Sequence, residues 1–228
     1  MSQSNENIAQ QDLPVQQESD EQESAQQEHE QQEQVTAEIY GLLACLFREA
    51  PSSEVLQWLS ELEVEPCEQH AMTNAWFKLK ETAMATTTQQ VAEEYQDLFI
   101  GIGCGEVVPF SSWHIAGTLM EKPLVAIRQD LKRFGFERQE DIREPEDSIS
   151  ALLEVMSMLQ FEEFDSQQQF FNAHIRPWFI SFCNEIEKAE SAQFYLPVSR
   201  VLRHFGLIEQ ARYTEKLSSG EIEITRLQ

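Results

Sequence analysis

Val35-Thr36-Ala37-Glu38-Ile39-Tyr40-Gly41-Leu42-Leu43-Ala44-Cys45-Leu46-Phe47 is the stretch that decides the fold. Val35, Ile39, Leu42, Leu43, Leu46 and Phe47 recur at i, i+3/i+4 and i+7. That spacing lines one face of a helix and no face of a strand. Thr36 and Glu38 fall on the outer face. The helix is expected to stop near Ala50-Pro51, because the residue before a proline is pushed out of the helical region. The same period recurs downstream. Ser52 or Ser53 is placed to cap a second helix carrying Val55, Leu56, Trp58, Leu59 and Leu62. A third is expected over 69–85, with Met72, Trp76, Phe77 and Leu79 inward, and a fourth over 89–99.

Residues 101–112 break the period. Gly101, Gly103 and Gly105 are three of the chain's eight glycines, and Pro109, Ser111 and Ser112 follow. This reads as a loop, with Ser112 capping a helix that turns Leu119, Leu124, Ile127 and Leu131 inward, bends at Pro123 and stops at Gly135. Glu144-Pro145-Glu146-Asp147 predicts another helix start, with proline near the first helical position and acids in the first turn. Ile149, Leu152, Leu153, Met156 and Leu159 continue it. A segment over 167–188 is interrupted at Pro177, and a last one spans 192–217. No run alternates with period two. The fold class is all-α, a single bundle of eight to eleven helices.

Residues 1–34 differ from the rest. They hold nine acids, no Lys or Arg, and few large apolar side chains. Such a segment cannot bury enough surface to offset its ordering entropy, so it is read as a disordered acidic Gln/Glu-rich tail, or at best a frayed helix. Residues 35–228 form the all-helical domain. The whole chain carries a formal charge of −24, and without the tail's nine acids it keeps 31 acidic against 16 basic side chains. That surface repels nucleic-acid phosphates and anionic lipid and favours a basic partner. No stretch reaches the roughly 18 apolar residues that span a bilayer, so no membrane insertion is expected. Cys45, Cys67, Cys104 and Cys183 are scattered, without a CxxC pair, and read as reduced thiols of a cytoplasmic protein.

Little points to catalysis. The Gly101–Glu106 loop follows a helix rather than a strand and lacks the Lys-Ser/Thr ending of a phosphate-binding loop. The charge nearest Cys104 is Glu106, which opposes thiolate formation. The five histidines are isolated, with no metal-ligand spacing among them. The chain is therefore expected to bind no metal and to be no enzyme. The apolar and aromatic residues Tyr95, Leu98, Phe99, Phe110 and Trp113 flank the glycine loop and suit a groove for an apolar peptide.

Two signature blocks also carry a resemblance. Glu94-Tyr95-Gln96-Asp97-Leu98-Phe99-Ile100-Gly101, then Gly103-Cys104-Gly105-Glu106, then Pro109-Phe110-Ser111-Ser112-Trp113 resemble the first signature of the TorD/DmsD family. Glu144-Pro145-Glu146-Asp147 resembles the start of its second, Glu-Pro-x-Asp-His, with Ser148 standing where the family has histidine. The resemblance covers residues 35–215. It implies a TorD-like cytoplasmic chaperone that binds the precursor of a molybdenum-containing oxidoreductase through its twin-arginine signal peptide. It also implies assistance with cofactor insertion before export. The molybdopterin guanine dinucleotide belongs to the client. The chaperone holds no cofactor stably, with a guanine nucleotide implied only as a weak ligand, and is a monomer or a domain-swapped homodimer. The implied peptide-binding residues are Tyr95, Leu98, Phe99, Gly101, Gly103, Gly105, Glu106, Pro109, Phe110, Ser112, Trp113, Glu144, Pro145, Asp147 and Ser148. Acids such as Glu94, Asp97, Glu106, Glu144 and Asp147 would attract the arginines. The competing reading is a helical adaptor for a mature redox-enzyme subunit that reads no signal peptide.

Overall fold

The computed structural model describes residues 13–67, 69–101, 105–137 and 144–224. Ten α-helices occupy them: α1 Leu13–Arg48, α2 Ser53–Ser60, α3 Ala71–Ala85, α4 Thr88–Tyr95, α5 Ser111–Ala116, α6 Lys122–Arg133, α7 Ile149–Leu159, α8 Phe164–His174, α9 Phe179–Ile186 and α10 Tyr195–Ile224. A π-helical turn, Gln96–Ile100, continues α4. The described residues contain no strand, only one isolated bridge between Phe110 and Ser148.

α7 is the central element. Ile149, Leu152, Leu153, Val155, Met156 and Leu159 are all buried, so it is apolar nearly all round, as a helix enclosed by others must be. α1 packs along it, and α8 packs at its far end. α10 lies against α3 and α9, and α2 pairs with α3. One cluster holds this together, running from Tyr40 and Leu43 on α1 through Phe170, Phe171, Phe179 and Phe182 to Val198 and Phe205 on α10.

α1 begins 22 residues before the apolar period does. Residues 26–32 are helical and exposed, so they add helix but no core, where the sequence predicts a disordered tail or at best a frayed helix; residues 1–12 lie outside the described residues. The expected helix over 112–135 is two. α5 ends at Gly117, whose φ of +78° is left-handed, and Pro123 sits in the first turn of α6 rather than at a bend. Leu119, expected inward, is 52% exposed between them. Ser52 caps α2, accepting from the Val55 N–H at 3.3 Å. Pro177 falls in the break between α8 and α9, as expected.

The last carbonyls of α1 lack donors within the helix. Two tyrosines supply them. The Tyr195 hydroxyl donates to the Leu46 carbonyl at 2.9 Å, and that of Tyr95 donates to Arg48 at 2.6 Å. Farther along α1, the Tyr40 hydroxyl donates to the buried Glu209 carboxylate at 3.1 Å. Burial pushes the Glu209 pKa up, against the pull of Arg212.

His174 is 5% exposed, and its Nε2 lies 2.8 Å from the Asp130 carboxylate. Burial lowers its pKa from 6.5 by more than Asp130 raises it. Its folded pKa thus lies below its unfolded value. The stability this contributes is present above about pH 6.5 and is lost as pH falls through the folded pKa. Melting scans between pH 8 and about 5.5 are expected to show a fall in midpoint toward acid that is blunted in His174→Gln. Equal slopes in both proteins would assign the acid sensitivity elsewhere.

Candidate functional site

The loop after α4 is built on unusual backbone geometry. The π turn is closed by the Gly101 N–H donating to the Gln96 carbonyl at 2.6 Å, with Gly101 at φ +55°. Wider turns of this kind leave carbonyls free for other donors. Asp97 and Leu98 take theirs from across the loop: Glu106 N–H donates to Asp97 at 3.2 Å and Val107 N–H to Leu98 at 2.9 Å. Gly105 lies so close that a Cβ there would sit 2.3 Å from the Leu98 oxygen. Gly101 and Gly105 are thus required by a tight latch. Gly103 and Cys104 lie outside the described residues.

The two signature blocks, distant in sequence, meet. The Ser111 N–H donates to the Asp147 carbonyl at 2.8 Å, and the Ile149 N–H donates to Pro109 at 2.9 Å. Between them Phe110 bridges Ser148. Asp147 is 1% exposed, and its carboxylate accepts the Ser112 N–H at 3.0 Å. α5 has no cap from its own N-cap residue, Phe110. Asp147 therefore caps α5 from 35 residues downstream, and the acids of 144–147 do not open α7 as expected. Ser148 does that: its Oγ accepts from the Ala151 N–H at 3.1 Å. A hydroxyl at the position of the family's histidine is a favoured N-cap. Ser112, expected to cap α5, lies within it, and its Oγ accepts the Glu121 N–H at 3.3 Å.

Most of the expected peptide-contacting side chains are frame. Leu98 is fully buried and Phe99 nearly so, its ring packed on Phe47, Tyr95, Phe182 and Tyr195. The half-buried Tyr95 hydroxyl is pushed up to about 12, by burial first and then by Glu144 and Glu49. Glu94 is buried too. Its carboxylate accepts N–H groups of Gln193, Phe194 and Tyr195, all at 2.8 Å, and so holds the start of α10. Glu106 accepts the Glu190 N–H at 2.7 Å, and the neighbouring Ser191 hydroxyl and this backbone hold its pKa down. Pro145 turns the chain, its carbonyl accepting the Ser148 N–H at 3.2 Å. Ser150 donates to Glu144 at 3.0 Å.

What faces outward is the hairpin that this frame carries. Trp113 is 42% exposed on α5. Ile115, Leu119, Met120 and Val125, in the same α5–α6 segment, are also exposed, more large apolar surface than scattered single residues account for. Met120 has φ +60°, a left-handed backbone that a side-chain-bearing residue adopts at a cost of about 1 kcal/mol. Below the patch, His114 stacks on Trp178 at 5.0 Å and points Nε2 at the Val108 carbonyl. Its Nδ1 lies 3.6 Å from Glu185. Of the expected residues only Trp113 belongs to this patch. The signal for the others is Gly117, which stops α5 and leaves Leu119 and Met120 in a turn.

Removing the Asp147 carboxylate leaves a buried N–H without an acceptor. Asp147→Ala is expected to lower the unfolding free energy by about 1–3 kcal/mol in urea titration, and Asp147→Asn by less, since an amide oxygen can still accept. Equal stability of Asp147→Ala and the parent would contradict the capping role. This residue is thus no clean probe of binding.

Comparison with known proteins agrees with this architecture. The family described as nitrate reductase delta subunit matches residues 65–184. Chaperone protein TorD of Salmonella agona (strain SL483) is 26% identical over 201 residues, 80% of this chain and 93% of that protein. A proposed Tat proofreading chaperone, DmsD of Haemophilus influenzae, is 29% identical over 111 residues, 47% of this chain and 54% of that protein. The crystal structure of a proposed redox enzyme maturation protein from Archaeoglobus fulgidus superposes with a TM-score of 0.52 at 21% identity, covering 76% of this chain and 92% of that one. The family match alone takes in more than half of the 228 residues, and the chain belongs to the nitrate reductase delta subunit family, alongside the TorD and DmsD chaperones.

Proposed function

We propose that this protein is a cytoplasmic chaperone that binds the precursor of a molybdenum-containing oxidoreductase through its twin-arginine leader and keeps it competent for cofactor insertion before export. The observation that carries this reading is the α5–α6 hairpin: exposed Trp113, Ile115, Leu119 and Met120 held on a frame stapled from both signature blocks. A leader has a basic stretch followed by an apolar one. The apolar stretch is taken by this patch, where burial contributes about 25 cal/mol per Å² before ordering costs. The basic stretch is drawn by acids of the same region, Glu121 in the hairpin and Glu185 beside His114. No helix among the described residues is long and apolar enough to cross a membrane. The molybdenum cofactor is the client's in this reading, and the chain's part is to hold the apoprotein.

The test is a calorimetric titration of a synthetic twin-arginine leader. Trp113 is exposed, so Trp113→Ser should leave the fold intact and weaken leader binding by about tenfold or more. Undiminished binding to a folded Trp113→Ser protein would remove the hairpin from the recognition surface.

A further inference from the structure

A second apolar surface lies away from both signature blocks. α1, α2, α3 and the end of α7 enclose an open groove of about 880 Å³. Ile39, Leu42, Val55, Leu62 and Trp76 form its partly buried floor. Val35, Trp58 and Phe161 stand at its edges, 54%, 52% and 61% exposed. Large apolar side chains at this exposure, facing one trough, are not accounted for by packing within the chain.

The charge around the groove selects the occupant. Its charged lining residues are Glu38, Glu54 and Glu63, and among the described residues no Lys or Arg lines it. α1 continues past the groove with Glu28, Glu30 and Glu33, and carries no Lys or Arg between Leu13 and Gln34. A second copy seated here would bring acid against acid in a chain of net charge −24. Residues 1–12 fare no better, with two acids, no base and only Ile8 and Met1 as large apolar side chains. The groove wants a segment that is apolar on one face and cationic around it. An apolar groove between helices takes such a segment as a helix anchored at i, i+3/i+4 and i+7.

We propose that this groove is a docking site for a basic amphipathic helix of a partner protein, separate from the hairpin assigned to the leader. The apolar anchors lie on Leu42, Val55 and Trp76 between the Trp58 and Phe161 edges. The cations face Glu38, Glu54 and Glu63, and a longer helix gains further contacts along the acidic extension of α1.

The test uses the full chain and a labelled Leu/Lys amphipathic helix of roughly sixteen residues, about four turns. A scrambled peptide of the same composition keeps the charge and destroys the apolar face. Binding is read by fluorescence anisotropy at physiological salt, with circular dichroism confirming that each variant is folded. The parent should bind the amphipathic helix and not the scrambled one. Trp58→Ser should weaken it by about tenfold, and Glu54→Lys by about threefold to tenfold, while Trp113→Ser leaves it unchanged. Equal binding of the scrambled peptide reduces the effect to bulk charge and overturns the proposal. So does loss of binding on Trp113→Ser without loss on Trp58→Ser, which would merge the groove with the hairpin. A concentration-dependent dimer abolished by Trp58→Ser would instead seat a second copy in the groove and likewise overturn it. Failure of the leader to bind leaves these outcomes untouched, so the two assignments fall separately.

Discussion

Glu94→Ala is expected to lower the unfolding free energy by about 3–5 kcal/mol, the largest single loss among the acids of the signature blocks. Three N–H groups, of Gln193, Phe194 and Tyr195, converge on this carboxylate at 2.8 Å, and the site is buried. They lie at the positive end of α10, where a carboxylate is also favoured by the helix dipole. Without it, the donors are buried unpaired and the α10 start detaches from α4. Each hydrogen bond to a charged acceptor contributes about 1.5–3 kcal/mol net, and three on one group do not add fully. In a protein of this size the loss corresponds to a midpoint lower by roughly 10 °C. Glu93→Ala, one residue away and exposed, is expected to change stability by less than about 0.5 kcal/mol. Urea unfolding of the two variants side by side checks this, and similar midpoints would contradict the anchoring role.

Gly105→Ala is the second. The added methyl would lie 2.3 Å from the Leu98 oxygen and 2.7 Å from the Phe99 carbonyl carbon. These are backbone atoms, and they cannot yield without breaking the latch from Val107 to Leu98. The expected cost is about 3 kcal/mol or more. Gly135→Ala is the contrasting case. Its φ is +78°, and nothing lies within 4 Å of the position a methyl group would take there. Only the backbone preference opposes it, at about 1 kcal/mol. The difference between the two variants separates lack of space from lack of conformational freedom. If both cost the same in urea titration, the close approach at Gly105 is not what selects glycine there.

The helices are legible in the sequence because each has an apolar stripe that repeats along it. The part of α1 before Val35 is not, since Gln and Glu favour helix without leaving any period. The split between α5 and α6 is hidden for another reason. Pro123 suits a kink as well as a helix start, and it is Gly117, in a left-handed turn, that ends α5. The site is harder still. Glu94 and Asp147 look like surface acids in sequence, yet each is buried against backbone donors far away, 99–101 residues for Glu94 and 35 for Asp147. Capping across such distances depends on tertiary packing and leaves no local pattern. Leu98 and Phe99 suit a groove floor and a core equally well, and only burial separates the two. The signature blocks therefore supply chiefly a frame of buried side chains and backbone hydrogen bonds. The accessible surface is the hairpin between them.

Amide hydrogen exchange of the chain with and without a twin-arginine leader tests the central claim most directly. Binding is predicted to slow exchange over Ser111–Arg133, the α5–α6 hairpin, and to leave the α2–α3 face unchanged. An exchange pattern identical with and without a saturating leader, or protection confined to helices away from that hairpin, would contradict it.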